Sequence, residues 1–160
     1  MIKGLHHNAY RCRDSEETRE FYEDFLGLPL KHAFVIEQTR TGRDSNVLHS
    51  FYQMQNGSFL AFFEEPDEPF DFKEQRDFDL HIALEVDHQY LLEMKEKGER
   101  AGMIVRGISD HEFIHSIYFR DPNGYVIELA ARTEKHDSAT FDSAAAHAAL
   151  SKWQKTKNNC

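Results

Sequence analysis

One order of predicted elements occurs twice along this chain of 160 residues: a strand, a helix and then three strands. In the first half, the strand pattern GLHHNAYRC precedes a helix for which Asp14 or Ser15 can serve as the N-cap. Gly27 stands where a left-handed residue ends a helix. Two later apolar runs flank Asn56-Gly57, a strong signal for a hairpin.

The second half repeats this order after an acidic, proline-containing connection over residues 65–79. LHIALEV corresponds to LHHNAYRC, and YVIELAA corresponds to SFLAFFEE. We therefore predict an internal duplication of about 65 residues per unit. The two units span about residues 3–65 and 78–131, and the fold class is α+β.

The composition excludes several classes of protein. The chain has 28 acidic and 19 basic residues and a formal charge of -9, which opposes binding to nucleic acid. No run approaches the roughly 20 apolar residues of a membrane span, and the start of the sequence lacks a signal-peptide pattern. Cys12 and Cys160 form neither a disulfide framework nor a metal-binding pair. We expect a cytoplasmic protein with no membrane or nucleic-acid partner.

The tail over residues 132–160 differs from the rest because it is rich in alanine. Its pattern predicts a helix over about residues 143–153, with Ser143 as a possible cap. Leu150 and Trp153 are expected to contact either the body of the protein or a second subunit.

Candidate metal ligands stand on strands of both units. In LHIALEV, alternation places His81 on the face opposite the apolar residues, and His7 occupies the equivalent position of the first unit. Pseudo-symmetry predicts that the two imidazoles face each other across a curved sheet. Glu128 interrupts an apolar strand, where it is either exposed on an open face or paired with a cation. Two histidines and one carboxylate would leave positions on a metal ion open for substrate.

The motifs GLHHNAYRCRDSEETREFYEDFLGL, LHIALEV and SIYFRDPNGYVIEL closely resemble the vicinal oxygen chelate superfamily. This superfamily includes glyoxalase I, extradiol dioxygenases, fosfomycin resistance enzymes and bleomycin resistance proteins. The resemblance covers about residues 3–131 and implies paired βαβββ units that form an incomplete barrel around a metal. It selects His7 rather than His6 as the first ligand, assigns His81 and Glu128 as the second and third, and implies a homodimer.

The resemblance also implies how the site departs from glyoxalase I. Ala61 or Phe62 stands where that enzyme has a fourth ligand, and only a shifted register would bring Glu64 inward. Tyr118 lies ten residues before Glu128, as does an active-site tyrosine of extradiol dioxygenases. His111 is a candidate acid or base, as is its neighbour His115. No counterpart of the distal acid/base histidine of dioxygenases is evident in the connection.

The resulting hypothesis is a metal-dependent enzyme that chelates a small substrate through vicinal oxygens. We expect first an extradiol-type dioxygenase of a catechol-like compound, with catalytic Tyr118 and His111 and metal ligands His7, His81 and Glu128. The alternatives are a glyoxalase-like lyase or isomerase and a non-catalytic ligand-binding protein of the bleomycin resistance type. Fe2+ is favoured as the metal, and Mn2+, Zn2+ or Ni2+ also suits a mixed nitrogen and oxygen ligand set.

Overall fold

A computed structural model describes residues 1–136 and 142–157. The first unit contains strand β1, helix α1 and strands β2, β3 and β4; the second contains strand β5, helix α2 and strands β6, β7 and β8. The bounds of the first unit are β1 His7–Cys12, α1 Ser15–Arg19, β2 Leu30–Gln38, β3 Asp44–Gln53 and β4 Phe59–Glu64. Those of the second are β5 His81–Glu85, α2 His88–Arg100, β6 Arg106–Asp110, β7 Ile114–Arg120 and β8 Val126–Arg132.

Each unit forms its own four-stranded sheet, and the two sheets have the same topology. The strand orders are β1-β4-β3-β2 and β5-β8-β7-β6. In both sheets the first strand pairs with the last in parallel, and the other pairs are antiparallel. This arrangement confirms the predicted pair of βαβββ units. The described strands form two separate sheets and no closed barrel.

The helix of the first unit begins and ends as the sequence predicts. Asp14 is the N-cap, and its side chain accepts a hydrogen bond of 2.8 Å from the backbone N–H of Glu17. The helix continues beyond α1 as a π-helical segment, Glu20–Phe25. Gly27 has a φ of +73°, the left-handed conformation that ends many helices.

The first strand of the second unit begins later than the predicted start of that unit near residue 78, since β5 begins at His81. The connection that precedes β5 has no helix or strand. It is held in place by a hydrogen bond of 2.8 Å from the N–H of Lys73 to the carbonyl of Asn123.

The helix-covered faces of both sheets contribute to one hydrophobic core. Fully buried members come from each unit and include Tyr22 and Phe62 from the first and Leu91, Ile117 and Ile127 from the second. Polar groups also join the units: the hydroxyl of Tyr22 donates to Asp121 at 2.9 Å in a buried position. Burial of the Asp121 carboxyl raises its pKa. Because each sheet turns its helix-covered face to this core, the opposite faces lie on the outside.

A third helix, α3 (Ser143–Thr156), follows the second unit. None of its residues is buried, and Leu150 and Trp153 are 56% and 63% exposed. Neither side chain is packed into the core of the same chain, and a contact with a second subunit stays a prediction. Among the described helices, none is long and apolar enough to cross a membrane.

Candidate metal centre

The strand register defines the outer face of the second sheet. Glu128 on β8 lies between Ala83 on β5 and Tyr118 on β7. His81 and Glu85 share this face with Ala83 because side chains alternate along a strand. Tyr118 and Glu128 therefore share one face of the sheet, and His81 lies on it as well.

His81 and Glu128 meet on this face. The Nε2 atom of His81 lies 3.3 Å from Oε2 of Glu128. Glu128 is only 5% exposed, whereas the imidazole of His81 is nearly half exposed. A carboxylate that is buried to this extent requires hydrogen bonds or an opposite charge to offset its desolvation. Of the two alternatives that the sequence left for Glu128, an exposed position and a cation partner, this burial excludes the first.

The hydrogen bonds of His81 define which of its nitrogens is free. Its Nδ1 lies 2.8 Å from the carbonyl oxygen of Asp77, and since a carbonyl only accepts, Nδ1 carries the proton. In neutral imidazole, Nε2 then presents a lone pair toward Glu128. Two acceptors at this distance repel each other unless a proton or a metal ion lies between them. The pair therefore fits the geometry of two metal ligands.

Two further groups hold this pair in place. Ser116 is fully buried, and its hydroxyl donates to Oε1 of Glu128 at 2.5 Å. The carboxylate of Asp77 accepts a hydrogen bond of 2.6 Å from Arg106. Outer hydrogen bonds of this kind orient metal ligands and raise metal affinity in many proteins. The sequence does not indicate Ser116, Asp77 and Arg106, because their role depends on contacts that form only in the folded chain.

Tyr118 and His111 form a second polar pair beside Glu128. The hydroxyl of Tyr118 lies 3.1 Å from Nε2 of His111. Arg106 lies over the ring of Tyr118, with its guanidinium carbon 5.1 Å from the ring centre. Burial, and then the charge of Glu128, raises the pKa of the Tyr118 hydroxyl, so this group remains a hydrogen-bond donor at neutral pH. His115 lies apart from this pair, with its Nε2 3.8 Å from Asp110.

These groups line an open cavity of about 840 Å³ on the outer face of the second sheet. Its lining includes His81, Arg106, His111, Phe113, Tyr118 and Glu128. A volume of this size accommodates a small organic molecule. The structure thus brings together four of the five predicted site residues.

His7 is the predicted residue that the chain does not bring to this cavity. It lies on β1 in the first sheet, where its Nδ1 is 2.8 Å from Nδ1 of His6. Within residues 1–136 and 142–157, no three His, Cys, Asp or Glu side chains lie close enough to hold one ion. The expected approach of His7 and His81 across one curved sheet is therefore absent from the single chain. The physical reason is that the faces carrying the two residues both lie outside the shared core.

Glu64 does not take the place of the missing ligand. Its carboxylate accepts a hydrogen bond of 2.8 Å from the backbone N–H of Ser15 at the start of α1. Since Glu64 lies beside Cys12 in the parallel pair β1–β4, it shares the helix side of the sheet with that buried side chain. Ala61 instead lies on the same face as His7, and a methyl group cannot bind a metal.

The duplicated βαβββ fold and the paired histidine and glutamate define the class to which the chain belongs. The sequence model of the Glyoxalase/Bleomycin resistance protein/Dioxygenase superfamily matches residues 4–129. The chain is a member of this superfamily, as the resemblance of its motifs predicted.

Two of its relatives have names that refer to particular activities. The chain is 26% identical over 164 aligned positions to the metallothiol transferase FosB of Staphylococcus saprophyticus. The alignment covers 99% of both proteins. The fosfomycin resistance protein FosX of Listeria monocytogenes, solved with Mn(II) and a sulfate ion, has a TM-score of 0.64 and 22% identity. That similarity covers 87% of this chain and all of FosX.

A third similar structure is the integron cassette protein HFX_CASS4 from the mobile metagenome of the Halifax Harbour sewage outfall. It has a TM-score of 0.59 and 24% identity, with 81% of this chain and 99% of that protein covered. The likeness to FosX and HFX_CASS4 supports the fold.

Proposed function

We propose that this protein is a metal-dependent enzyme that binds a small substrate through two neighbouring oxygen atoms. The observation that carries this proposal is the distance of 3.3 Å between His81 Nε2 and Glu128 Oε2, two atoms that a shared metal ion would hold together. A divalent ion supplies that charge, and an imidazole and a carboxylate are ligands common to iron, manganese and zinc.

The third ligand in this proposal is His7 of a second copy of the chain. His7 lies on the exposed outer face of the first sheet, and His81 and Glu128 lie on the outer face of the second. A two-fold arrangement that places the first sheet of one copy against the second sheet of the other would assemble two equivalent sites. Such a dimer would provide three protein ligands at each site, whereas one chain alone provides two.

The metal, when bound, would polarise the substrate oxygens as a Lewis acid. The chain's own groups would orient the substrate and move protons. Tyr118, which is paired with Glu128 in the strand register, would donate a hydrogen bond from its hydroxyl to a substrate oxygen. His111 Nε2, 3.1 Å from that hydroxyl, would accept a proton from it or return one.

We favour attack on the polarised substrate by water or another nucleophile, in a lyase-like or transferase-like reaction. FosB is named as a metallothiol transferase, and FosX was solved with Mn(II), so the two named relatives support this reaction class and make Mn2+ the first metal to test.

Extradiol cleavage of a catechol is the second candidate, with Fe2+ as its metal. The observation that favours it is the Tyr118–His111 pair beside Glu128. An absence of any oxygen uptake with catechols in the Fe2+-loaded protein would count against this candidate.

The test begins with protein purified anaerobically without an affinity tag. We expect one divalent ion per chain by elemental analysis, and a sedimentation mass of twice the 18.7 kDa of one chain. Substrate consumption is then compared for fosfomycin with a thiol and for catechol with oxygen. A monomer that binds no divalent metal at any loading would overturn the proposal and leave a ligand-binding protein.

A further inference from the structure

Helix α3 carries an apolar stripe that its own chain leaves exposed. Leu150, Trp153 and the C-cap residue Lys157 follow one another at spacings of three and four residues, so they lie on one face of the helix. Leu150 and Trp153 are both more than half exposed. Large apolar side chains that share an exposed face mark a surface that binds another surface.

The same helix is basic. Over residues 143–157 the sequence has three lysines, Lys152, Lys155 and Lys157, and no aspartate or glutamate. The chain as a whole carries a formal charge of -9. A basic helix with an apolar stripe binds best to a groove that is apolar and bordered by carboxylates.

A cavity with this chemistry lies between the two units. It has a volume of about 540 Å³ and forms where the turn between β3 and β4 approaches the junction of β5 and α2. Its apolar lining includes Leu28 and Met54 from the first unit and Val86 from the second. Among the described residues that line it, the charged ones are Glu85 and Asp87, and none is basic. We call this cavity the joint groove, and its volume accommodates a side chain as large as an indole.

Asp87 is the carboxylate of the joint groove that can take a cation from outside. Glu85 is already paired with Arg132, whose Nε lies 2.7 Å from Oε1 of Glu85. Asp87 occupies the N-cap position of α2, yet its side chain makes no capping hydrogen bond to the helix. Because Asp87 is also exposed, its charge can attract a lysine that approaches the groove.

We infer that α3 docks into the joint groove of a second copy of the chain, with Trp153 on the apolar lining and Lys157 beside Asp87. No described residue of α3 is buried, so the helix does not fill the groove of its own chain. The inference rests on the proposed function in one respect: Glu85 lies on the outer face of the second sheet, to which the proposed dimer brings a second copy. Exchange of α3 in both directions keeps the two-fold symmetry of such a dimer.

Trp153 is the one tryptophan of the sequence, so its fluorescence reports the docking. In the metal-free full chain, we expect the emission to shift to shorter wavelength as the protein concentration rises, because the indole leaves water. Lys157→Glu should raise the midpoint concentration of this shift about tenfold, because two carboxylates then face each other. Lys155→Glu is the matched control, since it makes the same charge change on the opposite side of α3 and should leave the midpoint unchanged.

An exchange of charges identifies both the groove and the chain that provides it. Asp87→Lys should weaken docking as Lys157→Glu does. An equal mixture of these two variants should restore docking, since each helix then meets the opposite charge on the other chain. If α3 instead docks in the groove of its own chain, only the two substitutions in one chain restore it. Restoration confined to that double variant would therefore overturn the second copy as the partner, and an unchanged midpoint in Asp87→Lys would overturn the groove.

Two further results would overturn the inference: emission of an exposed indole at every concentration, or equal midpoints for Lys157→Glu and Lys155→Glu. His81→Ala separates docking from the metal centre, because it removes a proposed metal ligand and should leave the midpoint unchanged. A dimer that binds one ion per chain while Trp153 stays in water would retain the proposed function and overturn the docking. A chain that binds no metal but buries Trp153 in a second copy would do the reverse.

Discussion

The imidazole of His81 and the carboxylate of Glu128 meet at 3.3 Å although the first is nearly half exposed and the second is buried. The exposed partner gives the pair access to solvent, and the buried partner is fixed by Ser116. An ion that enters from the cavity would therefore meet one oriented carboxylate oxygen and one imidazole nitrogen.

Replacement of His81 by alanine should abolish metal retention. The buried carboxylate alone would leave an ion with one ligand from this sheet, which is too few for stable binding. Mn(II) binding followed by electron paramagnetic resonance measures the effect, and His147→Ala, at an exposed position on α3, serves as the control. Equal metal content in the two variants would exclude His81 as a ligand.

Arg106 should control metal affinity without touching the metal. Its ion pair with Asp77 fixes the backbone carbonyl that accepts the Nδ1 proton of His81. We expect Arg106→Ala to weaken Mn(II) binding about tenfold, as for other groups that orient metal ligands, and Arg106→Lys to recover part of the loss. Arg100→Ala on α2 is the charge-matched control. In the metal-free Arg106→Ala variant, the nitrogen chemical shifts of His81 should show a mixture of the two imidazole tautomers. A single unchanged tautomer in Arg106→Ala would argue against this role.

Ser116→Ala should lower both stability and metal affinity. The substitution removes the hydroxyl that donates to Glu128 and leaves a buried carboxylate oxygen without that partner. A buried polar group that loses its partner costs about 1–3 kcal/mol of unfolding free energy. Urea denaturation of the metal-free protein measures the change. A difference from the original chain below about 0.5 kcal/mol would mean that water replaces the hydroxyl.

The sequence predicts most of the fold because its signals are local. Asp14 as a cap, Gly27 as a helix end and the alternation around Ile82 all depend on neighbours along the chain. The predicted second unit begins near residue 78, yet Phe78 is 97% exposed and β5 begins only at His81. Pattern alone does not distinguish an apolar residue in a strand from one in an exposed loop.

The site could be predicted only in part, for a different reason. Tyr118 and Glu128 lie on adjacent strands, so alternation and an antiparallel register are enough to bring them together. The approach of His7 to His81 depends instead on how two sheets are oriented, and no local pattern encodes that orientation. The burial of His49 also could not be predicted, because it results from ring contacts with Phe63 on β4 and with Phe51 two residues along β3.

Gly124→Ala should destabilise the protein through the connection that leads to the metal centre. Gly124 has a φ of +96°, and a Cβ atom there would lie 2.5 Å from the backbone N and O of Lys73. Gly57→Ala is a matched control, because its φ is +85° and no atom lies within 4 Å of the added Cβ. Both variants carry the strain of positive φ, so their difference isolates the clash. We expect Gly124→Ala to be about 2 kcal/mol less stable than Gly57→Ala in urea denaturation. Equal stability of the two variants would mean that the connection around Lys73 shifts away from residue 124 at no cost in unfolding free energy.

The buried imidazole of His49 should make stability fall in mild acid. Its pKa is lowered in the folded protein, chiefly by burial and further by the nearby charges of His7 and His32, although the carbonyl of Phe62 opposes the shift. The unfolded chain therefore binds the proton first as the pH falls below about 6.5, the ordinary imidazole value. The stability contributed by the neutral side chain is complete above that pH and is lost as the pH falls through the folded pKa.

Urea denaturation from pH 8 to pH 5 measures this dependence, as a comparison between the original chain and His49→Phe. The variant has no titrating group at this position, so its stability should decline less between about pH 6.5 and pH 5. His147→Phe, which replaces an exposed imidazole, should retain the slope of the original chain. Identical slopes in all three proteins would show that His49 is protonated as readily in the folded state as in the unfolded state.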